Sequence, residues 1–95
     1  MKASELPEGS RAAVDLRGSH VLLAMVGGEV HALSGTCTHA DADLGLGFLV
    51  EDRVVCPLHL SQFDLKTGQV LNPPATEPLR RFNVKIQDGT VFVEL

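Results

Sequence analysis

Apolar and polar residues alternate with a period of two over much of the chain, and no stretch shows the spacing of an amphipathic helix. The pattern is clearest over 81–87, where Phe82, Val84 and Ile86 alternate with Asn83, Lys85 and Gln87. Beyond Asp88-Gly89, the residues Val91, Val93 and Leu95 fall on one face, so 81–95 reads as a hairpin. Residues 21–26 and 29–33 predict a second hairpin, because the Gly27-Gly28 pair between them can take the positive φ angles of a tight turn. Two shorter hairpins are predicted between these. One joins 48–50 to 53–56 through Glu51-Asp52, and the other joins 62–65 to 69–71 through Lys66-Thr67-Gly68. The chain is therefore expected to be all-β, an antiparallel β-sandwich or small barrel spanning 1–95, with a subdomain over 35–78 inserted into the base. There is no internal repeat, linker or low-complexity tract.

Composition narrows the class. Ninety-five residues make one domain, and a chain of this size buries only about two-thirds of its unfolded surface, so a group that ties loops together would add stability. All four aromatic residues are Phe. No apolar run approaches the roughly 18 residues of a membrane span and no signal-like segment opens the chain, which makes a cytoplasmic protein with no membrane partner the expectation. The net charge of -4 argues against a nucleic-acid partner, which would favour a basic face.

The candidate chemistry lies in the middle. Cys37-Thr38-His39 and Cys56-Pro57-Leu58-His59 contain both cysteines and two of the four histidines, with sixteen residues between the two pairs. A disulfide is possible in a secreted chain, but the adjoining histidines make ligation the better use of the thiols. Zinc accepts such a donor set, although zinc fingers usually put the cysteines in one pair and the histidines in the other. Mixed pairs suit a 2Fe-2S cluster in which two cysteines hold one iron and two histidines the other.

With these residues in view, the chain resembles the Rieske ferredoxins. The resemblance rests on Cys37-Thr38-His39-Ala40, Leu44, Gly45, Gly47, Cys56-Pro57-Leu58-His59, Ser61, Phe63-Asp64-Leu65 and Thr67-Gly68. It includes Pro73-Pro74-Ala75, where the family has a proline loop over the cluster, and runs from about Leu6 to Leu95. One departure is Leu60, where most members have glycine, which bears on the backbone angle there. The resemblance implies a Rieske-type fold whose inserted subdomain carries one 2Fe-2S cluster, with Cys37, His39, Cys56 and His59 as metal ligands. It further implies a non-enzymatic electron carrier between a flavoprotein reductase and a terminal oxygenase, as in aromatic-ring-hydroxylating dioxygenase systems. Ala40, Pro57, Leu58, Leu60, Pro73 and Pro74 would gather round the histidine-held iron as a small apolar docking face.

Two thiolates and two neutral imidazoles leave an oxidised centre neutral, whereas four thiolates would leave it doubly negative. Rieske potentials accordingly span about -150 to +300 mV, against roughly -400 mV for plant-type clusters. High-potential relatives add a disulfide and serine and tyrosine hydroxyls beside the cluster; this chain has no spare cysteine and places Phe63 at the tyrosine position. A potential near the low end is expected. Ser61 remains as a donor to sulfur, worth about 1 kcal/mol or on the order of 50 mV, against the plain reading of a serine that turns the chain.

Other features take plainer readings. His20 and His31 read as ordinary surface or strand histidines without a role. Gly45-Leu46-Gly47 lacks the strand, lysine and helix of a phosphate loop and reads as turn glycines. Asp41 and Asp43 read as solvated loop carboxylates, with an acidic rim that steers a basic partner as the alternative.

Other functions are weighed on the same residues. A Rieske-like subunit of nitrite reductase often lacks the ligands that are complete here, and a respiratory subunit usually has an anchor and an extra cysteine pair. A zinc-stabilised binding module with no redox role stays open until iron is analysed. A catalytic oxygenase is excluded, since no second site of two histidines and a carboxylate fits in this length.

Overall fold

The computed structural model describes residues 1–38, 42–58, 60–72 and 75–95. Among the described residues there are eight strands: β1 (Arg11–Leu16), β2 (Ser19–Val26), β3 (Glu29–Ser34), β4 (Phe48–Val50), β5 (Arg53–Val55), β6 (Gln62–Asp64), β7 (Arg81–Gln87) and β8 (Thr90–Glu94). Single 3₁₀ turns occupy Ala3–Glu5 and Leu44–Leu46, and no α-helix occurs among the described residues. One sheet has the order β1-β2-β3-β7-β8, and a smaller sheet has the order β4-β5-β6. Every pairing is antiparallel. The chain thus leaves the large sheet after β3, builds the small one, and returns to pair β7 with β3 through Ala32↔Phe82 and Leu33↔Arg81.

The apolar run in β2 is explained by burial on both faces. Val21 and Leu23 point to one side and join Leu6, Ala32, Phe82 and Val91 in a core inside the large sheet. Leu22 and Ala24 point to the other and join Leu33, Leu44, Val54, Phe63, Leu65 and Leu79 in a core shared with the small sheet. The N-terminal segment curls the large sheet: Ala3 N–H donates to Gly89 O and Val91 N–H to Met1 O, while Gly9 N–H donates to Met25 O. One short segment therefore reaches both β8 and β2.

The predicted all-β, antiparallel class and the two long hairpins are present. Gly27 and Gly28 have φ of 64° and 77°, as the tight turn requires. Two details differ. Strand β1 was not predicted, although Ala12, Val14 and Leu16 alternate with Arg11, Ala13 and Asp15 and pack on the inner core. The arm over 69–71 reduces to a single bridge, Phe63↔Val70. Its ladder stops because Asn72 Oδ1 accepts from Gln62 N–H at 2.6 Å, so a side chain takes that donor instead of a strand carbonyl. Gly45 lies in the Leu44–Leu46 turn and Gly47 ends it, as read, but neither has a positive φ. They permit close approach, since a Cβ would lie 2.5 Å from Ala13 Cβ at Gly45 and 2.1 Å from Val55 O at Gly47.

Candidate metal centre

Two loops of equal length hold the cysteines. Cys37 N–H donates to Ala42 O at 2.8 Å, and Cys56 N–H donates to Ser61 O at 2.8 Å, so each cysteine closes a loop with the residue five positions on. Leu60 N–H tightens the second loop by donating to Cys56 O at 3.1 Å. Both cysteines are completely buried and belong to the core between the sheets. β3 and the Leu44–Leu46 turn position the first loop, and β5 and β6 the second. His39 and His59 fall within these loops along the chain, and both lie outside the described residues, as do Ala40, Asp41, Pro73 and Pro74.

The segment that follows β6 is fastened to both loops. Ser61 Oγ accepts from Ala75 N–H at 3.1 Å, and Thr38 Oγ1 donates to Glu77 O at 2.7 Å. With the Asn72 contact to Gln62, three hydrogen bonds hold the flanks of the Pro73-Pro74 dipeptide against the ligand loops. Ser61 itself is fully buried. Because its oxygen accepts from Ala75, its own proton is left to give to another acceptor.

The apolar side chains near the second loop divide by exposure. Pro57 is half-buried, while Leu58 and Leu60 are 60% and 57% exposed. Leu60 has φ of 60°, in the left-handed region where glycine is usual. The departure noted in the sequence thus sits at a position where the backbone keeps the glycine-like angle with a leucine side chain.

One of the two remaining histidines differs from expectation. His20 is no ordinary surface residue: its Nδ1 lies 2.6 Å from Asp15 Oδ1 and its Nε2 lies 2.9 Å from Asp43 Oδ1. Its pKa is raised above the ordinary 6.5, first by the hydrogen bond to Asp43 and then by that to Asp15. Asp43 is correspondingly no free loop carboxylate; its pKa is lowered chiefly by the His20 hydrogen bond, with the Gly45 N–H assisting against the effect of burial. Sequence spacing gave no sign of this, because the three residues come from separate segments. His31 is in β3 as read, buried at 6% exposed, and its Nε2 has no hydrogen-bond partner among the described residues. Burial pushes its pKa down and favours the neutral ring, the tolerable state for an unpartnered imidazole.

The donor chemistry fits a sulfur-ligated centre. Two buried thiols stand at the inner ends of matched loops, with a buried hydroxyl beside one of them and a hydrogen-bonded strap across both. These features define a small β protein built to enclose a metal centre between two loops. The chain belongs to the Rieske [2Fe-2S] domain family, whose model matches residues 1–83, and its cofactor is one Rieske-type 2Fe-2S cluster. It is 39% identical over 93 residues to the 3-phenylpropionate/cinnamic acid dioxygenase ferredoxin subunit of Escherichia coli (strain K12), covering 97% of this chain and 87% of that protein. Among solved structures, it is similar to the ferredoxin of carbazole 1,9a-dioxygenase from Nocardioides aromaticivorans IC177, with a TM-score of 0.93, 30% identity, and 98% and 91% of the two chains covered. It is also similar to a chain in the complex of reduced oxygenase and oxidised ferredoxin in carbazole 1,9a-dioxygenase. There the TM-score is 0.92 and the identity 33%, with 98% and 96% covered.

Proposed function

We propose that this chain is the ferredoxin of a dioxygenase system for aromatic compounds, taking one electron from a flavoprotein reductase and delivering it to a terminal oxygenase. The matched pair of closed loops, each with a buried cysteine at its base, carries the reading. The cluster supplies reversible one-electron chemistry when bound. Cys37 and Cys56 would hold one iron, and His39 and His59 the other. Segment 35–78 acts as the cluster-binding subdomain, and the protein works in the cytoplasm, in keeping with its lack of a described helix long and apolar enough to cross a membrane.

Each residue has a physical task in this reading. The core between the sheets keeps water from the cysteine sulfurs. Ser61, its oxygen already engaged by Ala75 N–H, directs its proton to a sulfur. Phe63, fully buried in the same core, offers no hydroxyl. One donor instead of two supports a potential near the low end of the Rieske range. Exposed Leu58 and Leu60, next to His59 in the chain, with half-buried Pro57, offer apolar surface suited to brief docking; that Ala40, Pro73 and Pro74 belong to the same face is what the family resemblance implies.

The test is electron delivery in a reconstituted system of flavoprotein reductase, this chain and terminal oxygenase. Leu58→Glu is expected to slow reduction of the oxygenase by about tenfold, because it puts a charge into an apolar contact, while the visible spectrum stays intact. Equal rates for the two proteins would remove the docking assignment, and no electron flow with the wild-type chain would remove the carrier assignment.

A further inference from the structure

His20 joins the base sheet to the first ligand loop by two hydrogen bonds, one at its carbonyl and one at its ring. Its carbonyl accepts from Gly35 N–H at 2.8 Å, where the loop leaves β3, and Gly35 O accepts from Leu44 N–H at 2.8 Å, where the loop returns. Its ring then meets Asp43, whose backbone pairs with Thr36 next to Cys37. The same Asp43 oxygen accepts from Gly45 N–H at 2.8 Å and so caps the 3₁₀ turn. The fit of the ring is close: a Cβ at residue 35 would stand 2.6 Å from His20 Cδ2, so only glycine leaves it room.

The ring has a carboxylate at each nitrogen. A neutral imidazole has one N–H and would set a lone pair against one carboxylate, so the geometry requires both nitrogens to donate. With both carboxylates ionised, only the imidazolium form satisfies both contacts at once. From β1 it faces Asp15, from the loop Asp43, and from the end of β3 only uncharged Gly35. Asp15 is 79% exposed and Asp43 40% exposed, so solvent screens the first pair more and the second carries most of the effect.

We propose that His20 is a positioning residue, a charged clamp that fixes the base of the loop carrying Cys37 and His39 against the large sheet. The functional part of this inference rests on reading that loop as metal-ligating; the clamp itself rests on the geometry alone. Its pH dependence has a definite sign. Because the folded pKa of His20 lies above its unfolded value, the clamp is complete below pH 6.5 and is lost as pH rises through the folded value. At the acid end it is lost as pH falls through the depressed pKa of Asp43.

The experiment is hydrogen exchange read by mass spectrometry on the cluster-loaded protein, following the peptide over 35–47 as a protection factor against pH, with exchange at the histidine C2 position reporting the pKa of His20. Protection of 35–47 is expected to fall by about tenfold as His20 deprotonates, with the same midpoint, while 82–86 does not change. His20→Ala should show the low protection at every pH. Asp43→Asn, which keeps an oxygen for Gly45 N–H, should lower the His20 pKa more than Asp15→Asn does. A His20 pKa at or below 6.5, or loop protection independent of His20, overturns the clamp. Iron content measured on the same samples separates that result from failure of the metal reading: a chain without iron that still shows the linked midpoint keeps the clamp and loses the cluster.

Discussion

Leu60 combines a left-handed backbone with the exposure that the proposed docking face requires. A side chain in the left-handed backbone region costs about 1–2 kcal/mol relative to the ordinary helical region, and this one is also 57% exposed. Packing therefore does little to offset the strain. Glycine would relieve it, though its freer unfolded chain takes back part of the gain. Leu60→Gly is expected to leave thermal stability unchanged or raise it by up to about 1 kcal/mol, and to slow electron delivery severalfold. Denaturation and stopped-flow reduction of the oxygenase measure the two effects. A clearly less stable protein, or one that delivers electrons at the original rate, would contradict this account.

At the scale of elements, the two cores have different dependence on the metal. The core inside the large sheet, built on Leu6, Val21, Leu23, Ala32, Phe82 and Val91, contains no cysteine. The core between the sheets contains Cys37 and Cys56 and closes around them. Removing iron and sulfide is therefore expected to speed hydrogen exchange by about tenfold or more over 42–58 and 60–72, while β2 and β3 keep most of their protection. Uniform loss across both sheets would show that the large sheet cannot stand without the cluster. The same division explains what could be read from the sequence. Strands β7 and β8 were legible because period-two alternation and an Asp-Gly turn mark them locally, and the Cys-His pairs were legible because their ligand types adjoin. Strand β1 shows the same alternation in a short, alanine-rich form that is easily passed over. The Asn72 side chain that ends the β6 ladder and the Asp15-His20-Asp43 clamp depend on contacts between distant segments, for which one sequence offers no local signal.

For the whole molecule, a net charge of -4 and a thin pair of cores suit a small carrier that meets partners briefly. The proposed function requires that two buried thiols and two histidines enclose a redox cluster. The most direct test is iron, zinc and acid-labile sulfide content of protein purified without oxygen, with the low-temperature EPR spectrum after dithionite reduction. The account predicts two irons and two sulfides per chain, and a rhombic signal whose average g lies below that of an all-cysteine cluster. One zinc, no sulfide and no signal would contradict it and leave a structural site in place of an electron carrier.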